Sequence, residues 1–261
     1  MRLLKYNNDG KLSLAEFLGN NIPKYAILSH RWEEGEVTFA DILNGASKQM
    51  AGYSKIQFCG EQAKRDGLQY FWVDTCCIDK SNSTELAEAI NSMFRWYQKA
   101  DKCYVYLSDV SKRKRKASDL FSECTWKSNF QASKWFRRGW TLQELLAPRS
   151  VEFFSQHYEQ LGNKIILEQQ IYEITGIPTI ALRGSPLSWF DVDTRLSWAT
   201  NRQTTREEDK AYSLFGIFDI QMPLLYGEGE DKAFRRLREE IDKPLKGKRK
   251  ASVQHLSRQS E

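Results

Sequence analysis

The 261-residue chain is sparing with the residues that mark several large protein classes. It has three histidines, His30, His157 and His255, and no Cys-x-x-Cys pair, so the ligands and spacing of a zinc site are missing and no metal is expected. Its five cysteines, Cys59, Cys76, Cys77, Cys103 and Cys124, are an odd number. That count does not suit a secreted disulfide frame and points to reduced thiols packed in a cytoplasmic protein. Six prolines and 41% hydrophobic residues exclude a collagen-like or wholly disordered chain. No run approaches eighteen apolar residues, so no membrane span is expected. The opening segment 1–6 (MRLLKY) reaches charge too soon to be read as a signal peptide. No internal repeat is visible.

What is present is a modest basic excess, with 39 Lys and Arg against 34 Asp and Glu. That excess is localised in the run Lys112-Arg113-Lys114-Arg115-Lys116 and in the stretch from Asp242 to Glu261, so the rest of the chain is net negative. A nucleic-acid binder spreads basic residues over a folded face with aromatics between them. Two solvated basic segments do not make such a face, and no nucleic-acid partner is expected. A localisation signal in either run is an alternative use of the same residues.

Strand-length and helix-length patterns alternate through the first 156 residues. Residues 24–30 read as a strand, and 53–66 as a helix stopped by Gly67. Residues 70–74 read as a buried strand. A helix follows, opened by the Asn82/Glu85 pair and carrying Leu86, Ile90, Met93 and Tyr97 on one face. Further strands are expected at 103–107 and 151–154, with a short helix over 140–146 stopped by Pro148. The polar stretch 109–133 reads as a loop or insertion. This order implies an α/β fold with a mainly parallel sheet flanked by helices. From about residue 157 the pattern turns to helices (166–174, 210–218, 231–241), and 243–261 reads as a basic disordered tail or linker. Ligands of such sheets gather beyond the carboxyl ends of the strands, which here carry Ser29, His30, Arg31 and Trp32, then Asp74 to Asp79, then Ser108 and Asp109.

Several blocks in those positions resemble one family. The segment 25–32 (YAILSHRW), the segment 71–79 (FWVDTCCID) through Met93, Tyr97 and Ala100, and the segment 135–148 (WFRRGWTLQELLAP) are similar, in that order, to the HET domain of fungal heterokaryon-incompatibility proteins. The segments 202–214 (RQTTREEDKAYSL) and 225–229 (LYGEG) extend the resemblance over residues 1–240. It is closest to the subgroup in which this domain precedes a NACHT module and WD repeats. The resemblance implies an effector of regulated cell death after fusion of unlike fungal cells. Partners would be further copies of the chain and, in cis, the NACHT and WD-repeat regions.

HET domains are also regarded as distant relatives of TIR domains, many of which cleave NAD. The strand and helix order supports that comparison, with a TIR-like core over about 24–156 and a helical extension over about 157–240. Ser133, Trp135 and the helix bearing Glu144-Leu145 resemble the TIR pattern around its catalytic glutamate, so Glu144 is the catalytic candidate by carry-over. The chain departs from TIR by insertions at 33–50 and 109–132 and by its long extension. NAD+ is then the expected substrate, with no tightly bound cofactor, and the activity an NAD+ glycohydrolase.

Breaking the bond between ribose and cationic nicotinamide needs no strong acid, but a carboxylate beside the developing oxocarbenium ion helps. Trp140 lies one helical turn before Glu144, with Leu142, Leu145 and Leu146 opposite, so both are expected to face a cleft. On pattern alone Glu144 reads more readily as an ordinary exposed residue beside a rim tryptophan, and it is the family resemblance that brings the catalytic reading level with it. Arg31 suits a diphosphate, and Trp32 suits stacking on adenine or nicotinamide. His30 is a candidate base or phosphate contact, or a structural histidine. Asp74 and Asp79 reach for ribose hydroxyls or cap the following segment. Cys76, Ser108, Arg138 and Trp140 complete the expected NAD-binding set. A non-enzymatic homotypic adaptor, or a nucleotide-binding module without turnover, is the alternative function.

Overall fold

The computed structural model describes residues 1–7, 9–19, 21–112 and 122–257, except the side chains of 122–125 and 244–257. The described residues form one mixed sheet of β1 (Arg2–Tyr6), β2 (Leu12–Glu16), β3 (Tyr25–His30), β4 (Tyr70–Trp72), β5 (Lys102–Tyr106), β6 (Val151–Phe154) and β7 (Gln160–Asn163). Their order across the sheet is β2-β1-β4-β3-β5-β6-β7. The central strands β4, β3, β5 and β6 run parallel. The β1–β2 hairpin closes one edge antiparallel to β4, and β7 closes the other antiparallel to β6.

The parallel centre matches the sequence expectation because its strands are apolar and buried on both faces, as crossover helices require. All six residues of β3 are buried. The antiparallel edges escape the sequence because β1, β2 and β7 are short and mix polar with apolar residues. Helices α1 (Phe39–Leu43) and α2 (Tyr53–Arg65) lie between β3 and β4, and α3 (Ser83–Lys99) lies between β4 and β5. Gly67, at φ 74°, follows the end of α2, as expected of a helix stop. Asn82 caps α3 by accepting from the Thr84 and Glu85 amides. Glu85 does not complete the box. Its carboxylate takes Arg2 and the Asp79 amide instead.

The stretch expected as a loop over 109–133 contains helix α4 (Ser122–Ala132), a correction to the sequence reading; 113–121, with most of the basic run, lie outside the described residues. Trp126 and Phe130 of α4 stack edge to face, and Phe130 packs on Phe136 and Phe153, so tertiary packing makes a helix of a weakly patterned segment. A 3₁₀ turn (Lys134–Arg137) leads into α5 (Thr141–Leu146).

Beyond β7 the described chain is helical: α6 (Glu168–Thr175), α7 (Thr179–Leu182), a 3₁₀ turn (Leu187–Trp189), α8 (Val192–Ser197), α9 (Asp209–Tyr212), α10 (Phe215–Phe218) and α11 (Glu230–Ser257). The single helix expected over 210–218 is two short ones. The backbone of α11 continues well into the segment read as a disordered tail, past Pro244, where lysines, arginines, alanine and glutamine favour helix. The long buried core runs from the sheet into this helical part through Trp198, Tyr212, Leu214 and Phe215. No described helix is long and apolar enough to cross a membrane.

Candidate active site

Ser29 sits near the carboxyl end of β3, between β4 and β5, with no solvent exposure. Its hydroxyl donates to the carboxylate of Glu144 and accepts the indole N–H of Trp135 at 2.9 Å. The 3₁₀ turn holds Trp135 in place, because Ser133 caps it and Asp109 accepts from both the Ser133 hydroxyl and the Lys134 amide. Glu144 is 6% exposed. Burial pushes its carboxyl up to about 7; the Ser29 hydrogen bond opposes this, nearby Asp74 adds to it, and Arg138 and Arg202 draw it down. The site therefore holds a carboxyl that titrates near neutrality, beside a fixed hydroxyl, at the strand ends.

Asp74, just after β4, forms a second corner. It accepts the Trp32 indole N–H at 2.7 Å, while the Lys80 ammonium lies 3.3 Å from the Trp32 ring centroid and 3.9 Å from the Asp74 carboxylate. Arg138 approaches the same ring at 6.0 Å.

His30 joins this corner to a third group. Its ring nitrogens lie 3.6 Å from Glu36 and 3.9 Å from Asp74, and neither has a hydrogen-bond partner among the described residues. Glu36 also holds Lys55. Burial alone would raise the Glu36 carboxyl, but His30 and Lys55 bring it down to about 2.

Arg202, from the helical extension, closes the inner side. Its guanidinium donates to the carbonyls of Trp198 and Arg138 and to the Thr141 hydroxyl. Burial lowers its pKa to about 10, against the pull of Glu144. Outside this layer lies a cleft of about 380 Å³ lined by Arg31, Lys134, Arg137, Arg138 and Trp140 with the 203–205 loop and Asp209.

The sequence-predicted residues thus divide. Ser29, His30, Trp32, Asp74, Arg138 and Glu144 lie close together. Arg31 and Trp140 line the outer cleft, where Arg31 approaches Asp109 at 3.9 Å and Trp140 donates to Asp209. Trp140 and Glu144 do not face one cleft as the helical wheel suggests. Every residue of α5 is buried, so amphipathic spacing has no meaning there, and Glu144 turns inward to Ser29.

Ser108 lies beside the Glu33 carboxylate and, against the upward push of burial and together with Lys55, helps to hold it below its ordinary value. Asp79 is spent on a turn, accepting from the Ser81 amide and hydroxyl, which is the capping use foreseen for it. Cys76 is fully buried, its thiol pushed far up by burial, with the Val73 carbonyl at 3.9 Å as its partner; a binding role for it is withdrawn. Among the described residues no three His, Cys, Asp or Glu side chains are grouped to hold a metal ion.

The model of the family described as "Heterokaryon incompatibility protein (HET)" matches residues 25–123, from β3 through the Asp74 corner to β5 and beyond. The vegetative incompatibility protein HET-E-1 of Podospora anserina is 58% identical over 246 residues, which is 93% of this chain. The chain carries a HET domain. It spans 18% of the length of that relative, as a domain within a larger protein would. No solved structure matches it.

Three residues of this candidate site in the HET domain escaped sequence reasoning. Trp135 stands out only as part of a family-like block, Lys80 has no pattern to distinguish it, and the dense charges of Arg202, Arg206, Glu207, Glu208 and Asp209 read from sequence as a salt-bridge cluster or a subunit contact. That cluster proves to be caps and ring contacts. Glu208 binds the amides of Gly227 and Gly229, Asp209 accepts from Trp140 and Tyr226, and Arg206 stacks on Tyr226. The one signal for Arg202 was its place in a family-like block before a helix.

Proposed function

We propose that this HET domain is the effector of a fungal vegetative-incompatibility protein and that it acts by hydrolysing NAD+ once copies of the chain assemble. The observation that carries the reading is the buried Glu144 carboxyl, held by Ser29 at the carboxyl ends of parallel strands and titrating near 7. As nicotinamide leaves, positive charge develops on the ribose. A carboxylate preorganised in a poorly solvated site stabilises that charge far better than one in water. The cationic substrate itself favours the ionised form of Glu144 as it enters. Arg31, Arg137 and Arg138 in the outer cleft suit the diphosphate, since guanidinium pairs with phosphate oxygens in bidentate fashion. Trp32 offers a ring face to a base.

Water attacks the anomeric carbon as the glycosidic bond breaks, giving ADP-ribose, neutral nicotinamide and a proton. The closed packing around Glu144 agrees with a site that assembly must open or complete. The test is NAD+ consumption by the purified chain at high concentration and as a forced-oligomer fusion, compared with Glu144→Ala and Glu144→Gln. Loss of turnover in folded, assembled Glu144 variants supports the enzyme reading. An assembled wild type that kills cells while leaving NAD+ intact refutes it, in favour of a homotypic adaptor.

A further inference from the structure

We propose that the corner formed by Trp32 and Asp74 is a subsite for a planar aromatic cation, and that Lys80 occupies that subsite in the resting chain as a built-in competitor. The inference rests on the NAD+ reading and deepens it, because the nicotinamide end of NAD+ is such a cation.

The geometry is specific. Asp74 takes the Trp32 indole N–H at 2.7 Å, which fixes the plane of the ring. The Lys80 ammonium then lies over one face, 3.3 Å from the centroid, with Asp74 at 3.9 Å. The turn that carries Lys80 is pinned by its two neighbours, the Asp79 carboxylate accepting from the Ser81 amide and hydroxyl. Trp32 is nonetheless 39% exposed, an unusual condition for a tryptophan whose ring is so closely engaged.

Lys80 is a poor permanent occupant. An ammonium has three N–H donors, and this one is shielded from solvent without a hydrogen-bond acceptor among the described residues. Ring face and carboxylate return part of that loss. Burial lowers its pKa, in agreement with an environment that disfavours the localised charge. A pyridinium makes the same two contacts, spreads its charge over a ring, has no N–H on its charged nitrogen to leave unpaired and adds stacking area on Trp32. Exchanging one cation for the other lets the Lys80 ammonium return to water. Arg138, 6.0 Å from the same ring, also lines the outer cleft, so a ligand anchored there by phosphates has its cationic end directed toward Trp32.

The probes are the N-methylnicotinamide cation and neutral nicotinamide, titrated calorimetrically into the full chain, Lys80→Met, and Lys80→Met with Trp32→Ala. Lys80→Met is expected to bind the cation about tenfold more tightly than wild type, with a smaller change for neutral nicotinamide, and Trp32→Ala to abolish the gain. Unchanged affinity, or an equal gain for both probes, overturns the proposal.

Should Lys80→Met fail to fold, the wild type answers the question through acetylation of Lys80 followed by mass spectrometry. Saturating N-methylnicotinamide is expected to speed that modification severalfold, and an unchanged or slower rate overturns the competitor role. The two readings fail separately. A chain that binds the cation through Trp32 yet leaves NAD+ intact sinks only the enzyme. Glu144-dependent turnover with cation affinity indifferent to Lys80 sinks only this proposal.

Discussion

Ser29 and Glu144 are 115 positions apart in the chain, and the hydroxyl of the first donates to the carboxylate of the second. The same hydroxyl is fixed from the other side by the indole N–H of Trp135. Its single proton is therefore committed to Glu144, and the carboxylate has one orientation relative to the strand ends. Burial and this hydrogen bond act on Glu144 in opposite directions, and burial prevails.

If ionised Glu144 is the working form, NAD+ turnover rises with pH through about 7 and levels off above it. Ser29→Ala removes a contact that lowers the Glu144 pKa, so its ascending limb moves to higher pH, by about one unit for a lost charge-assisted hydrogen bond. A pH–rate profile of both proteins checks this. A limb unmoved by the Ser29 change would separate Glu144 from the titration.

Stability follows the same group with the opposite sense. The folded-state value of about 7 stands above the ordinary 4.5, so the contribution of neutral Glu144 is complete below about 4.5 and is lost as pH rises through about 7. Glu144→Gln, which cannot ionise yet still accepts from Ser29, is expected to be more stable than wild type at pH 8, by about 3 kcal/mol at most, and little different at pH 4. Urea unfolding at the two pH values measures the difference.

Arg202 fastens the helical extension to the site through the Arg138 and Trp198 carbonyls and Thr141. Arg202→Met removes these three hydrogen bonds, leaves the Trp198 carbonyl without its guanidinium donor while the Arg138 carbonyl keeps the Thr141 hydroxyl, and removes a charge that favours ionised Glu144. We expect a loss of about 2–4 kcal/mol, and the acid limb of any turnover moved upward. Thermal melts and the pH–rate profile report the two effects independently.

Helix α10 meets α3 at Gly216, where an added methyl would stand 2.1 Å from both Cβ and Cγ of Phe94. The Cβ of Phe94 is fixed to its backbone and cannot swing aside, so Gly216→Ala forces the helices apart. A destabilisation of about 2 kcal/mol or more is expected in chemical denaturation. Wild-type stability in this variant would mean the two helices can separate freely.

The parallel centre of the sheet was legible because buried strands read as apolar, β-branched runs between helical segments. Gly67 and Asn82 marked a helix end and a helix start through their own backbone and side-chain chemistry. The placement of Ser29, Asp74 and Arg138 near Glu144 followed from the rule that such sheets gather ligands at their carboxyl ends, together with the family-like blocks. The edge strands, α4 and the division of 210–218 were not legible, since each depends on packing more than on local pattern. Amphipathic reasoning misjudged α5 for the same cause. A six-residue helix enclosed on all sides has no solvent face for the pattern to record.

By itself, then, the amino-acid sequence determined the α/β class, the order of the central strands along the chain and the set of polar residues delivered to one end of the sheet. Periodicity and local hydrogen bonding act within a few residues, and those properties need nothing longer. Tertiary structure alone decided that Glu144 turns into the core toward Ser29, that Lys80 lies across Trp32 and that Arg202 reaches back from the extension. Each of these joins segments distant in the chain, and the electrostatic character of a carboxyl or an ammonium is fixed by what surrounds it in space.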